Sequence, residues 1–145
     1  MAKPFAQLLD TLRRLARGVA PSSASIDLPD EEALKLQWLA AGGRDMEAMT
    51  VPLAREMGKA YARGLLDLAT RKTRDTSHPW VMACEVYRDA LAQRLLTGGG
   101  DIKRDLRPLR PSTIERKGHA RIGYDTGDLW RAVKSGRIVV RRGDR

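Results

Sequence analysis

From Phe5 to Leu95 the apolar residues of this chain recur at intervals of three and four, the spacing that collects side chains on one face of an α-helix. Phe5, Leu8, Leu9, Leu12, Leu15 and Ala16 form the first stripe, with Lys3, Arg13, Arg14 and Arg17 off it. Leu34, Trp38 and Ala41 form a second. Asp27 is its expected cap, and Asp30, Glu31 and Glu32 complement the positive end of its dipole. Between Arg44 and Arg71 the stripe is Leu53, Met57, Tyr61, Gly64, Leu65 and Leu68, with Pro52 marking a kink or a fresh start capped by Thr50. Gly58 and Gly64 would each cost ~1 kcal/mol against Ala in an exposed helix, a cost that close approach of another helix would offset. After a polar turn at Thr73 to Ser77, Pro79 opens a helix lined by Trp80, Ala83, Cys84, Tyr87, Leu91 and Leu95. Gly98-Gly99-Gly100 ends it.

Composition agrees with helices. Only 5% of the residues are aromatic and Phe5 is the single phenylalanine, so the core rests on Leu, Ala, Met and Val. Beyond the glycines the character changes. Arg107-Pro108-Leu109-Arg110-Pro111 excludes regular helix, because each proline restricts the residue before it. Ser112 to Lys117 reads as a short helix with a capping box between Ser112 and Glu115, stopped by Gly118. Asp125-Thr126-Gly127 reads as a turn, with Thr126 capping a helix from Gly127 to Lys134 that carries Leu129, Trp130 and Val133. Ile138-Val139-Val140 is the one convincing strand. The expected fold is mainly α: a helical body with a short C-terminal β segment (α-rich α+β).

The organisation expected from these signals is an amphipathic N-terminal helix over 1–17, a linker over 18–29, a helical body over 30–100 and a basic C-terminal region over 101–145. The linker, GVAPSSASIDLP, is rich in small residues. From Lys103 to Arg145 there are 13 Lys or Arg against five acids, whereas the rest of the chain carries 14 basic and 13 acidic residues. A nearly neutral body joined to a strongly basic end favours an acidic partner, either nucleic acid or an acidic protein surface. The lone Cys84 excludes an intramolecular disulfide and any multi-cysteine metal site, as expected for folding in a reducing cytosol. No run approaches the ~20 apolar residues of a membrane span. No apolar signal-peptide centre follows Arg13, Arg14 and Arg17. A soluble chain made inside the cell, with no membrane partner, is expected.

The stretch Leu109 to Val140 resembles the virion-morphogenesis and tail-completion proteins of tailed bacteriophages. The resemblance rests on Pro111-Ser112-Thr113, Lys117-Gly118 and Asp125-Thr126-Gly127-Asp128-Leu129, followed by a short helix and a β-prone segment. It covers roughly a quarter of the chain. It implies a structural protein of the virion neck, made in the host cytoplasm, acting as a head–tail connector, adaptor or tail-completion subunit. The expected partners are further copies of itself in a homo-oligomeric ring, and the portal, connector or tail proteins of the same particle. Members of the family continue into several strands after the Thr-Gly-x-Leu turn, whereas five residues follow Val140 here. The strand is therefore expected to pair with a neighbouring molecule, or to belong to a shortened, mostly helical variant.

The motif has a structural logic of its own. Thr126 would satisfy amide donors at the next helix start, Gly127 would let the turn sit tightly, and Leu129 would enter the core one turn on. A catalytic or metal role has weak support. His78 and His119 each lack a His, Cys or acidic partner at ligand spacing, and Asp125 sits in a turn where an orienting hydrogen bond is the better reading. Cys84 falls on an apolar face, and the glycine triplet lacks the Lys-Ser/Thr of a phosphate loop. No cofactor and no enzymatic activity are expected. Arg142-Gly143-Asp144 is read as a chance tripeptide. The basic end is the remaining candidate for contact. Arg104, Arg107, Arg110, Arg116, Lys117 and Arg121 could meet phosphates or an acidic protein, as could Arg131, Lys134, Arg137, Arg141 and Arg142. Aromatic interleaving is limited to Tyr124 and Trp130, so DNA contact would be to the backbone without sequence readout. A non-specific DNA-binding accessory role stands as the alternative to the neck role.

Overall fold

In the computed structural model, residues 22–123 and 126–142 are described. The stripe from Phe5 to Arg17, Tyr124, Asp125, Gly143 and Asp144 lie outside them. The order of elements is β1 (Ser22–Asp27), α1 (Asp30–Ala41), α2 (Val51–Ala69), α3 (His78–Thr97), a 3₁₀ turn (Gly100–Asp105), α4 (Pro111–Lys117), α5 (Asp128–Lys134) and β2 (Arg137–Arg142). The protein is mainly helical with a short two-stranded antiparallel sheet, an α-rich α+β fold as expected.

The sheet answers the question of pairing. β2 bonds to β1 of the same chain, so its backbone does not need a neighbouring molecule. β1 itself corrects the reading of 18–29 as a linker. Ala24, Ile26 and Leu28 are partly buried while Ser23, Ser25 and Asp27 are exposed, a period of two that small and polar residues disguise. Asp27 thus lies in a strand and caps nothing. The N-cap of α1 is Pro29, extended at φ −55° and ψ 145°, whose carbonyl accepts from Glu32 N and Ala33 N at 3.0 Å each.

The chain divides into two compact units. The first takes Val51–Val86 with 22–25 and 138–142. On α2, Leu53, Ala60, Gly64 and Leu68 are buried, with Met57, Tyr61 and Leu65 partly so. A Cβ on Gly64 would lie 2.5 Å from Pro79 Cα, so this glycine is where the start of α3 closes on α2. Among the described residues Gly58 has nothing within 4 Å of that position, so none of them makes the close approach expected there. Tyr61 and Trp80 meet edge to face at 5.5 Å, and Cys84 is buried. Between the two helices Asp75 Oδ1 accepts from Ser77 N at 2.9 Å and from Ser77 Oγ at 2.7 Å, which fixes the polar turn.

The second unit takes Ile26–Thr50 and Tyr87–Arg137. Its core joins Leu36, Met46, Leu91, Ala92 and Leu95 to Ile102, Leu106, Ile122, Leu129 and Val133. Two expectations change here. Residues beyond 100 do not stand apart from the body expected over 30–100: from Ile102 to Val133 they supply half of this core, with α5 packed on α1. On α1 the buried face runs through Leu36 and Leu39, leaving Leu34 at 44% and Trp38 at 69% exposure. α1 carries apolar residues on two faces, and packing selected the one that periodicity did not.

Gly98 makes the return of the chain feasible. At φ +72°, its absent Cβ would stand 2.6 Å from Arg121 Cα, so the backbone after α3 and the strand of chain leading to Ile122 nearly touch.

Candidate functional site

α4 and α5 are each seven residues long, too short to stand alone, and local chemistry sets their ends. Pro111 occupies the first turn of α4, with Arg110 at the N-cap and no side-chain cap bond. Ser112 consequently lies inside the helix, and the expected capping box with Glu115 does not form. Proline, whose fixed φ suits a first helical position, moved the start one residue upstream. Gly118 closes α4 at φ +77°, its N–H donating to Ile114 O at 2.8 Å. Lys117 Nζ donates to Arg121 O at 2.9 Å, and His119 Nδ1 accepts from Arg121 N at 3.1 Å, so both side chains shape the turn after α4.

Before α5, Gly127 is buried at φ +84°, a left-handed conformation that glycine adopts without strain. It, not Thr126, is the N-cap residue, and no side-chain cap bond is made. Thr126 instead hydrogen-bonds the Asp128 carboxylate, which also receives Arg131 Nη1 at 3.0 Å. The Thr126 bond first, then Arg131, holds that carboxyl below the usual range. Arg131 Nη2 reaches back to Thr126 O at 3.1 Å.

The proline-bounded segment before α4 is anchored from elsewhere in the same unit. Arg44 Nε donates to Arg107 O at 2.8 Å and Nη2 to Pro108 O at 2.9 Å, while Arg107 N donates to Gly43 O at 3.0 Å. These bonds set Leu109 beside α1.

The result is a groove of about 710 Å³ bordered by α1, α4 and α5. Its apolar lining is Trp38, Leu39, Leu109 and Leu129. Its charged lining among the described residues is Lys35, Arg44, Arg116 and Lys117 against one carboxylate, Asp128. Lys35 pairs with Glu32 at 3.1 Å, and that bond raises its pKa. Arg116 is exposed and forms no ion pair among the described residues. Of the motif residues, Thr113, Lys117, Thr126, Gly127 and Leu129 meet at this groove, although up to 16 positions separate them; Pro111 and Gly118 act at the ends of α4, Ser112 lies within its first turn, and none of these three lines the groove.

The basic residues divide by what already holds them. Arg104, Arg107, Arg110 and Arg116 present exposed side chains in the second unit, and Arg137 and Arg141 are exposed on β2, which Arg142 closes. Arg121 is half-buried and donates to Leu96 O at 3.2 Å. Lys134 sits 4.9 Å over the Trp130 ring. Together with Lys117 and Arg131, these two have duties inside the fold.

Sequence reasoning passed over Arg94, which is 2% exposed. Its Nε and Nη2 grip Asp101 at 2.9 and 3.2 Å, and its Nη1 donates to Met46 O and Ala48 O at 2.9 and 2.8 Å. One guanidinium therefore ties α3 to the 3₁₀ turn and to the loop after α1. The clue was present: Arg94 lies three residues after Leu91, on the inward stripe of its helix. Tyr87 nearby donates to Glu47 Oε1 at 2.8 Å, and burial, then Glu47, pushes its phenol far above the ordinary value.

Each histidine has a partner, and for His78 it is an acidic one that sequence spacing did not reveal. His78 Nε2 lies 2.9 Å from Asp67 Oδ2, a pair within the first unit, and His119 serves its turn. Among the described residues no group of three or more His, Cys, Asp or Glu gathers to hold a metal, and no helix is long and apolar enough to cross a membrane. Family models, curated proteins and solved structures were compared with the chain, and none matches it.

Proposed function

We propose that this chain is a structural, non-enzymatic protein of the tailed-phage neck, a connector, adaptor or tail-completion subunit that joins head to tail as a homo-oligomeric ring or as copies decorating one. The supporting observation is the convergence of Thr113, Lys117, Thr126, Gly127 and Leu129 on one groove, held by short helices whose ends are fixed by Pro111, Gly118 and Gly127. Such a site offers shape and charge to a partner. Such a surface suits assembly, because ring symmetry multiplies modest contacts into a stable joint. Binding to a partner is through a preformed surface, since the C-terminal region is already folded against Leu36, Leu91 and Leu95.

The test is the composition and reconstruction of intact particles. The chain is expected in purified virions, in multiple copies at the head–tail junction, and its gene's disruption is expected to yield separate heads and tails. Particles that contain none of it and assemble normally would remove the reading.

The exposed cations Arg104, Arg107, Arg110 and Arg116 favour a second reading, non-specific contact with DNA backbone. Duplex binding that falls steeply with salt and shows no sequence preference would support it.

A further inference from the structure

We infer that the groove bordered by α1, α4 and α5 docks an acidic peptide segment of another protein, seating an apolar side chain among Trp38, Leu39, Leu109 and Leu129 and carboxylates against Arg44 and Arg116. The inference names the partner's chemistry for the neck role and rests on that role for the partner's source in the particle.

Two observations carry it. Trp38 borders the groove at 69% exposure, and Leu34, one turn earlier on α1, stands at 44%. A large aromatic left in water beside a concave apolar surface is the kind of anchor that dominates protein recognition once covered. Charge supplies the second. Four cations line the groove against one carboxylate; Lys35 is paired with Glu32 and Asp128 is held by Thr126 and Arg131, so Arg44, Arg116 and Lys117 carry the groove's excess positive charge. An incoming carboxylate therefore meets a positive field that the groove's own acid does not cancel.

The same observations discriminate between occupants. Single-stranded nucleic acid needs a succession of aromatic platforms, and Trp38 is the one aromatic side chain in the described lining. Two copies meeting groove to groove would set cations against cations. A peptide that alternates carboxylates with an apolar anchor satisfies both halves of the lining.

Fluorescence anisotropy tests this with the full-length protein and a set of labelled Asp/Glu-rich peptides carrying a central Leu-Phe pair at varied spacing. Saturable binding is expected. Trp38→Ala and Arg116→Glu should each weaken it by at least ~10-fold, with unchanged circular dichroism because both side chains are exposed. Arg104→Glu, an exposed site that does not line the groove, should leave it within ~2-fold, as expected of a charge outside the contact. The idea is overturned by no saturable binding across the set, or by equal binding when Ser replaces the Leu-Phe pair. It is also overturned if a labelled oligothymidylate binds more tightly through the same two residues. Sedimentation showing self-association that Trp38→Ala abolishes would assign the groove to a second copy instead. Presence of the chain at the neck is read independently from virions, so the neck role and the peptide groove fail separately.

Discussion

The segment from Gly100 to Val133 and the helix α1 exchange the roles that their compositions suggest. The former is crowded with Arg and Lys and broken by prolines and glycines, yet Ile102, Leu106, Ile122, Leu129 and Val133 enter the core of the second unit. α1 carries an apolar stripe of regular helical spacing, yet Leu34 and Trp38 face solvent. Burial is decided side chain by side chain. A few apolar residues at the right turns embed a charged segment most of whose cations stay exposed, and an amphipathic pattern identifies a helix without saying which of its apolar faces the fold will cover.

The firmest challenge to this contrast is Arg94. Replacing it by Ala strips Met46 O and Ala48 O of their donor and opens space against the core, while Asp101, 56% exposed, can rehydrate. The expected loss is about 3 kcal/mol, from unmet carbonyls and lost packing, read as a lowered urea midpoint. Arg94→Lys should recover only part of it, since an ammonium cannot span the four acceptors. A loss under ~1 kcal/mol would mean that the segment after Gly100 holds its place without this guanidinium. Leu129→Ala comes next. The side chain is 6% exposed in the core, and about 2–3 kcal/mol should be lost. A shift below ~0.5 kcal/mol would return α5 to the role of a loosely attached appendage.

Gly98→Ala should cost roughly 1–3 kcal/mol by forcing a Cβ against the Arg121 backbone at a positive φ. Gly58→Ala on α2 gives the contrast. With no atom of the described residues near its Cβ position and an ordinary helical setting, it should stabilise by up to ~1 kcal/mol.

These sites also mark what the chain made legible. Helices α2 and α3, the glycine stop at Gly98, the left-handed Gly118 and the strand at Ile138-Val139-Val140 all follow from local signals, because period, proline and glycine act on neighbouring residues. β1 was hidden by Ser23, Ser25 and Asp27, whose polarity reads as linker until alternation with Ala24 and Ile26 is counted. The caps at Ser112 and Thr126 failed because Pro111 and Gly127 had stronger claims on the same positions. The groove could not be read at all. Leu109, Thr113 and Leu129 share it only after Arg44 has fixed Arg107 and Pro108, a contact across more than sixty residues.

Acid probes the Arg94 junction more gently. The guanidinium holds the Asp101 carboxyl below its usual range, so the folded state binds fewer protons than the unfolded state in that interval. The pair's contribution is therefore complete above the ordinary aspartate value of ~3.9 and is lost as pH falls from there through the depressed folded value. Solvent screening at the exposed carboxylate keeps the contribution under ~1 kcal/mol. Asp101→Asn should be less stable than the parent at neutral pH by that margin, and the two should converge in strong acid. Equal midpoints at neutral pH would show that the carbonyls, and not the carboxylate, hold Arg94.

The smallest expected effect is the one that tests the other half of the contrast. Trp38→Ala removes the largest side chain on α1, and a count of apolar residues would forecast a loss typical of a core aromatic, about 3–5 kcal/mol. Its 69% exposure argues otherwise. Most of the ring is in water in the folded state as in the unfolded one, so little transfer free energy is forfeited, and alanine's higher helix propensity offsets part of the remainder. The midpoint should move by no more than ~0.5 kcal/mol, with Leu34→Ala behaving alike. A large loss in the isolated protein would mean that the indole is covered in the native fold, and α1 would then have a single buried face. Stability unchanged together with peptide binding abolished would instead separate the two faces of α1, Leu36 and Leu39 holding the unit together and Trp38 kept for a partner.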